Sequence, residues 1–308
     1  MSPDMIEAIL LTTMTAATPL LLAALGELVV ERSGVLNLGV EGMMIIGAVS
    51  GFAAAQMAGT AWAGVIFAPL CGALFSLLFA FLTVTLATNQ VATGLSLTLL
   101  GLGVSGMAGE AFIGLPGVKL EALDIPFLTD IPYIGEILFG QDPIFYISIA
   151  LVAGVSWFTF KTRAGLTLRS VGDNHGSAHA LGINVARVRY LAIMFGGACA
   201  GLAGAHLSLV YTPQWTENMT AGRGWIALAL VVFASWLPWR VLAGAYLFGG
   251  ITILQFHAQA QGIAIPSQFL SALPYVATIV VLVLISANRR MTMKNTPAML
   301  GKPFVPDT

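Results

Sequence analysis

The chain is dominated by apolar segments of about 20 residues, separated by short polar stretches. A helix needs roughly 20 consecutive apolar residues to cross a bilayer. Hydrophobic residues fill 57% of the 308 positions and charged residues only 9%, whereas soluble domains carry roughly 25% charged residues. The pattern predicts an all-α fold, a polytopic membrane helical bundle that forms a single transmembrane domain over residues 1–308. About nine spans (8–10) are expected, with a tenth if the first apolar segment is broken, near residues 8–29, 37–57, 62–86, 90–110, 144–160, 190–211, 224–238, 241–257 and 269–287.

The distribution of basic residues predicts the orientation of the bundle. The polar stretch 161–189 holds five basic residues and one acid, and short loops rich in Lys and Arg face the cytoplasm. Counting spans outward from this loop places the C-terminal tail, residues 288–308, in the cytoplasm. Eleven of the 13 basic residues then lie inside, and only Lys119 and Arg223 lie outside.

The segment 110–143 is external in this orientation. It carries six acids against Lys119, and four prolines disfavour a long helix, so a folded cap or a series of short turns is expected. Its acidic rim suits contact with an external binding protein, or it is a solvated loop without a partner.

The centre of the 161–189 loop predicts a short helix. Asn174 can cap it through its side chain, and Gly182 can end it after Leu181 in the left-handed conformation. The helix would present a flat face of small residues, which lets the backbone of another protein approach closely. That face consists of Gly176, Ser177, Ala178 and Ala180.

This loop resembles the coupling helix of ABC importer permeases, which docks into a cleft on the ATPase subunit. The match lies in Val171-Gly172-Asp173-Asn174 and in Ala178-x-x-x-Gly182 followed by Ile183-Asn184, although relatives commonly have Pro where this chain has His175. In these residues the loop is similar to that of the superfamily branch that includes ribose-type, nucleoside-type and branched-chain amino-acid permeases. An ordinary basic cytoplasmic loop is the alternative. The resemblance implies an ATPase-coupling role for Gly172, Asp173, Asn174, Ala178, Leu181, Gly182 and Ile183.

A second and more specific match lies near the N-terminus. The run from Glu31 to Gly42, ERSGVLNLGVEG, resembles the signature of nucleoside-type and simple-sugar-type ABC permeases. A charge within a span costs at least about 2.5 kcal/mol, so Glu27 and Glu41 should face protein or water. We expect Glu31 and Arg32 in the turn. Glu27, Asn37 and Glu41 are candidates for the substrate path in a structured hairpin near the gate, where they fix backbone or helix contacts or only satisfy packing.

Several polar residues are further candidates for the substrate path. Asn89 is predicted to cap the fourth span, and the resemblance places Asn89 and Gln90 beside the pathway. The segment 224–238 is only about 22 Å long as a helix, and short spans in transporters often line the cavity. The remaining candidates are Asn218, Trp225, Gln255 and His257.

Motifs for other chemistry do not occur in the sequence. There is no Gly-x-x-x-x-Gly-Lys-[Ser/Thr], so no ATP hydrolysis by this chain is expected, and Cys71 and Cys199 lie in apolar segments with no metal-binding pattern. An enzyme is disfavoured. An ion-coupled secondary transporter remains an alternative, because intramembrane acids such as Glu27 and Glu41 can relay protons.

The family resemblance completes the sequence-based hypothesis. It implies the permease subunit of an ABC importer in the bacterial inner (plasma) membrane, working by alternating access amid lipid. Its expected partners are a separate ABC ATPase that uses ATP and Mg, an external substrate-binding protein, and a second permease in a heterodimer, with a homodimer as the alternative. This chain itself should bind no cofactor, no metal and no nucleic acid. A path with scattered polar groups suits a nucleoside or simple sugar, and a branched-chain amino acid is the alternative substrate.

Overall fold

The structure is a computed structural model that describes residues 3–123, 129, 131, 134–260, 268–269, 272–273, 275–277, 280–281 and 295–305. The longer described elements are helical. In chain order they are α1 (Pro3–Arg32), α2 (Val40–Ala58), α3 (Ala61–Ala80, continued by a π-helical turn Phe81–Thr85), α4 (Gln90–Gly109, followed by a 3-10 turn Glu110–Phe112), α5 (Ile134–Phe139), α6 (Pro143–Lys161), α7 (Arg163–Asp173), α8 (His175–Ala180), α9 (Val185–His206, continued by a π-helical turn Leu207–Tyr211), α10 (Arg223–Phe233) and α11 (Pro238–Ala260).

Within the described residues, seven helices are long and apolar enough to cross a membrane. They coincide with seven of the predicted spans, and the first is continuous from Met5 to Arg32 rather than broken. Most of the predicted span 269–287 lies outside the described residues, as do residues 288–294 and 306–308 of the tail. The all-helical membrane bundle is therefore confirmed, and the count of about nine spans stays a prediction.

The predicted span 224–238 is wrong in its extent. Helix α10 has 11 residues and ends at Phe233, because Ser235 and Trp236 adopt left-handed backbone conformations with φ of 51° and 55°. At about 1.5 Å per residue this helix is roughly 16 Å long, about half the hydrocarbon thickness of a bilayer. Helix α10 alone does not span.

The core forms where α9 packs against α1, α2 and α3. Close approach of these helices depends on glycine: a Cβ added at Gly47 of α2 would collide with the backbone of Gly201 in α9. Membrane helices without a strong hydrophobic driving force associate through such small-residue contacts. Helix α9 is thus the central element of the bundle.

Several elements lie together at one end of the bundle: the turn after α1, the turn after α10, helices α7 and α8, and the segment 295–305. The expectation that Glu31 and Arg32 lie in a turn is wrong, since both are buried in the last turn of α1. The indole N–H of Trp236 donates to Glu31 Oε2 at 2.6 Å, and Arg32 Nη2 donates to the Trp236 carbonyl at 3.0 Å. These bonds explain why the chain leaves the helix before Trp236.

The opposite end is covered by the segment that precedes α6. The Gly117 N–H donates to the Pro213 carbonyl at 3.1 Å, and the Leu120 N–H donates to the Leu209 carbonyl at 3.0 Å. The expected short turns are present in the described parts of 110–143, together with the six-residue helix α5.

Asp142 anchors this covering segment to the core. Its Oδ1 caps α6 by accepting from the backbone of Ile144 (2.9 Å) and Phe145 (3.1 Å), and its Oδ2 lies 3.4 Å from Nε2 of buried His206 in α9. Burial alone would raise the pKa of Asp142, but the hydrogen bond and charge of His206 and the two backbone donors bring that pKa below its ordinary value. A depressed pKa means that the ionised group stabilises the fold at neutral pH and that this stability is lost as the pH falls through the folded-state pKa.

We therefore expect Asp142→Ala to destabilise the protein by about 0.5–2 kcal/mol from the lost cap alone. Asp142→Asn keeps the capping oxygen and removes the charge, so it should lose less stability. It should also lose the part of the acid dependence that comes from this carboxylate. Thermal unfolding in detergent between pH 7 and pH 3 measures both effects. Equal stability of wild type and Asp142→Ala at neutral pH would contradict the assignment.

Candidate functional site

Helices α2 and α10 both begin inside the bundle rather than at its surface. Gly42, in the first turn of α2, lies against Leu97, Thr98 and Gly101, about halfway along α4. The N-terminus of α10 meets α2 at the same depth, since a Cβ at Gly224 would collide with the backbone of Glu41. Short helices that begin within the bundle, such as the 11-residue α10, are typical of the substrate regions of transporters.

The Glu41 carboxylate is held by the N-terminus of α10. Its Oε1 accepts from the Thr220 hydroxyl at 2.6 Å and from the Gly222 N–H at 2.8 Å, and its Oε2 accepts from the Gly224 N–H at 2.6 Å. A helix N-terminus carries unpaired N–H groups and a partial positive charge, so it stabilises a carboxylate that is only 2% exposed. Glu41 therefore ties α2 to the start of α10.

The loop before α10 is strained. Asn218, Ala221 and Gly222 have φ values of 55°, 47° and 82°, and the left-handed conformation costs a non-glycine residue about 1–2 kcal/mol. Such strain persists where surrounding contacts enforce it, often at ligand sites. Here the hydrogen bonds to Glu41 enforce it.

A cavity of about 660 Å³ opens beside this loop. Three of the predicted path residues, Glu41, Asn218 and Trp225, line it together. Trp225 is 47% exposed, although it lies in an apolar helix within the bundle. The other described lining residues are Leu102, Ala221, Gly222, Ile226, Ala229, Phe248 and Tyr275.

The remaining path candidates do not line this cavity. Glu27 accepts from both the backbone and the side-chain nitrogen of Asn37, each at 3.2 Å, which is the expected backbone-fixing hairpin. Asn89 caps α4 through the Ala92 N–H at 3.0 Å, and Gln90 is buried and accepts from the Leu36 N–H at 2.8 Å. Glu27, Asn37 and Gln90 thus hold the turn between α1 and α2 in place, and Asn89 only caps α4.

The candidates on α11 are also separate from the cavity. Gln255 is buried and His257 half-buried, and neither is among the described lining residues. Phe248, about two turns earlier on the same helix, does line the cavity. The residues that sequence reasoning missed are Thr220, Gly222, Gly224, Phe248 and Tyr275; the only available signal was the Gly-Arg-Gly run at the start of a short apolar helix.

The second candidate site is the predicted coupling helix, which is α8. The Asn174 side chain accepts from the Ser177 N–H at 2.9 Å, and the helix ends one residue earlier than expected, at Ala180. Gly182 is left-handed with φ of 81°; its N–H donates to the His179 carbonyl at 2.8 Å, and the Ile183 N–H donates to the Ala178 carbonyl at 3.1 Å. This is the Schellman pattern of helix ends.

Two of the expected coupling residues are covered by the chain itself. Ala178 is 2% exposed and packs with Val171 and Val185, so it is absent from the outward face where the flat surface was expected. Gly172 is buried against the backbone of Arg32, where a Cβ would collide. The outward face instead contains Gly176, Ser177, His179, Ala180, Leu181 and Gly182, with Asp173 and Asn174 exposed beside it and Ile183 half-buried.

A helical membrane bundle in which the start of a short helix lines a cavity is typical of a transporter. Residues 9–286 match the family described as branched-chain amino acid transport system / permease component, and the chain belongs to this family. It is a permease component of an ABC transporter, and the resemblance to nucleoside-type and simple-sugar-type permeases is confirmed by its relatives.

Three relatives match nearly the whole chain. A putative glucose ABC transporter permease of Haloferax volcanii is 41% identical over 293 residues, covering 88% of this chain and 89% of the relative. A nucleoside ABC transporter permease of Lactococcus lactis is 35% identical, covering 91% and 92%. A guanosine ABC transporter permease of Bacillus subtilis is also 35% identical, again covering 91% and 92%. No solved structure matches the chain at a significant level.

Proposed function

We propose that this chain forms the path of an ABC importer for a nucleoside or a simple sugar in the bacterial plasma membrane. The observation that carries the proposal is the mid-depth cavity, where the one described acid, Glu41, already accepts three hydrogen bonds from its own chain. A carboxylate has roughly four acceptor positions, so one is left for a donor such as a sugar hydroxyl. The names of the relatives, glucose and nucleoside transporters, agree with this chemistry.

The cavity suits a neutral ring better than an amino acid. Trp225 and Tyr275 present aromatic faces, and the Asn218 amide can both donate and accept hydrogen bonds. Among the described lining residues no cation faces the cavity to pair with the carboxylate of a free amino acid. A branched-chain amino acid is therefore the weaker choice, despite the description of the family.

The motor, the binding protein and the second permease belong to the same proposal. A separate ATPase that uses ATP and Mg docks at the outward face of α8, and an external binding protein delivers the solute at the end covered by the segment before α6. The described tail 295–305 lies at the same end as the basic stretch 161–189, which supports a cytoplasmic C-terminus. About nine spans, a second permease subunit and alternating access complete the proposal.

Reconstitution tests this proposal directly. The permease pair, its ATPase and its binding protein are placed in vesicles, and uptake of labelled guanosine, glucose and leucine is measured with ATP, with a non-hydrolysable analogue, and with an ion gradient alone. We expect ATP-dependent uptake of guanosine or glucose. Uptake of leucine alone would favour the amino-acid alternative, and uptake driven by an ion gradient without ATPase would refute the proposed coupling.

Trp225→Ala should weaken transport of the solute. Stacking of a base on an aromatic side chain is worth about 1–3 kcal/mol, so the Michaelis constant for a nucleoside should rise roughly 5- to 150-fold. Trp225→Phe, which keeps an aromatic face, is the matched variant and should retain most of the affinity. An unchanged Michaelis constant in Trp225→Ala would place the solute elsewhere.

A further inference from the structure

The described end of the chain, residues 299–304, runs across the base of α8; we refer to it as the C-terminal strap. The Met299 N–H donates to the Gly172 carbonyl at 2.9 Å, at the end of α7. The Gly301 N–H donates to the Gly34 carbonyl at 3.1 Å, in the turn after α1. Two backbone bonds thus attach the strap to the end of α7 and to the turn after α1.

Phe304 holds α8 from the side. Its ring centroid lies 5.1 Å from that of His175 and 5.4 Å from that of His179, so it packs against two successive turns of the helix. It also covers the small apolar cluster of Val171, Ala178 and Val185. A helix of six residues is not stable by itself, and these contacts supply what its own hydrogen bonds lack.

Arg189 joins the strap to the helix bundle. This arginine is fully buried and donates to the Ser33 carbonyl and the Lys302 carbonyl, each at 3.3 Å, and its Nη2 lies 3.1 Å from His175 Nδ1. Burial lowers the pKa of His175, and the positive charges of Arg189 and Lys302 lower it further. A neutral His175 can accept the hydrogen bond from the guanidinium.

We infer that the C-terminal strap is a positioning element for ATPase coupling, in which Phe304 fixes the orientation of α8 and the exposed residues beside it extend the docking surface. This inference rests on the proposed docking of the ATPase at α8. The exposed apolar side chains of Leu181, 82% exposed, and Val305, 68% exposed, mark the surface that a partner would cover. Movement of the ATPase would then reach the turn after α1 through the strap as well as through α7.

The test compares variants of Phe304 in the complete transporter reconstituted with ATPase and binding protein. Phe304→Ala should weaken retention of the ATPase and raise the number of ATP molecules hydrolysed per solute moved, each by roughly tenfold, a change on the scale of one lost interface anchor. Phe304→Tyr keeps the ring and should restore both values. Ala298→Ser, at an exposed position that precedes the strap, is the control for a general effect of mutating the tail.

The ratio of ATP to solute separates positioning from a merely structural role, because a loss of folded protein lowers both rates equally. If Phe304→Ala does not accumulate in the membrane, Phe304→Leu takes its place with a smaller expected loss. Wild-type retention of the ATPase and a wild-type ratio of ATP to solute in either variant would refute the proposed role of the strap.

Leu181→Asp, on the exposed face of α8, tests the underlying docking separately. If Leu181→Asp loses retention of the ATPase and Phe304→Ala behaves as wild type, the proposed role of the strap is wrong and docking at α8 is supported. Normal retention of the ATPase in both variants would refute docking at α8.

Discussion

Glu41→Ala is expected to abolish uptake and to destabilise the permease strongly. The substitution leaves the buried N–H group of Gly224 and the half-buried N–H group of Gly222 without their acceptor. A buried donor without an acceptor costs about 1–3 kcal/mol, and the half-buried donor adds less than that, whereas the Thr220 hydroxyl can rotate to another partner. Because these donors form the N-terminus of α10, their release should let the half-helix shift and close or deform the cavity.

Two variants separate the charge from the loss of the acceptors. Glu41→Gln keeps one acceptor oxygen but turns an amide nitrogen toward a backbone N–H, so its stability and uptake should be intermediate. Glu110→Gln, at an exposed acid after α4, should have the stability of the wild type. Thermal unfolding in lipid nanodiscs and uptake in vesicles measure the series. Uptake near the wild-type rate in Glu41→Ala would show that the α2–α10 junction does not shape the path.

The spans were predictable because their signal is local. Length and apolar content alone identify a segment such as 144–160, and the structure moves its ends by one residue. The end of α10 was not predictable in the same way. Ser235 and Trp236 leave the helix because Trp236 bonds to Glu31 and Arg32, about 200 positions earlier in the chain. Where a contact across the fold decides an element's end, the surrounding residues contain no sign of it.

The cavity shows the same division between local and distant causes. The polarity of Glu41, Asn218 and Trp225 within apolar surroundings was sufficient to propose them for the path. The partners of Glu41 were not apparent, since backbone groups 181 and 183 positions away carry no side-chain signal. Gln255 was proposed on the same grounds, but the position of a residue around its helix depends on packing that the sequence does not show. Polarity indicates that a buried residue has a role, and only the fold shows which one.

The coupling helix also combines features with a local cause and features with a distant cause. Its two ends are set by Asn174 and Gly182, whose capping preferences are intrinsic to the residue type, and both were predicted. The burial of Ala178 depends on Phe304, which is 126 positions later and was not predicted. Substitution of Ala178 with a large residue would therefore overpack the chain's own cluster and would not report on docking. Gly182 is the better probe.

Gly182→Pro is expected to leave the protein inserted in the membrane and to uncouple it from the ATPase. Proline fixes φ near −65°, whereas Gly182 has φ of 81°, and it also removes the N–H that donates to the His179 carbonyl. A cost of about 3 kcal/mol at the end of a six-residue helix corresponds to a shift of roughly a hundredfold between ordered and disordered α8. ATP-driven uptake should fall by a similar factor.

The surroundings of Gly182 are open, so this position allows well-matched control substitutions. Among the described residues beyond its own chain neighbours, no atom lies within 4 Å of the position that a Cβ would occupy, so a side chain there would not clash within this chain. Asparagine enters the left-handed region readily and β-branched residues do not, so Gly182→Asn should keep most of the uptake and Gly182→Val should lose it. Retention of the ATPase on the purified permease and uptake in vesicles distinguish the three variants. Full coupling in Gly182→Pro would show that the shape of α8 is irrelevant to the motor, and equal defects in Asn and Val would show that the partner requires the bare backbone of glycine itself.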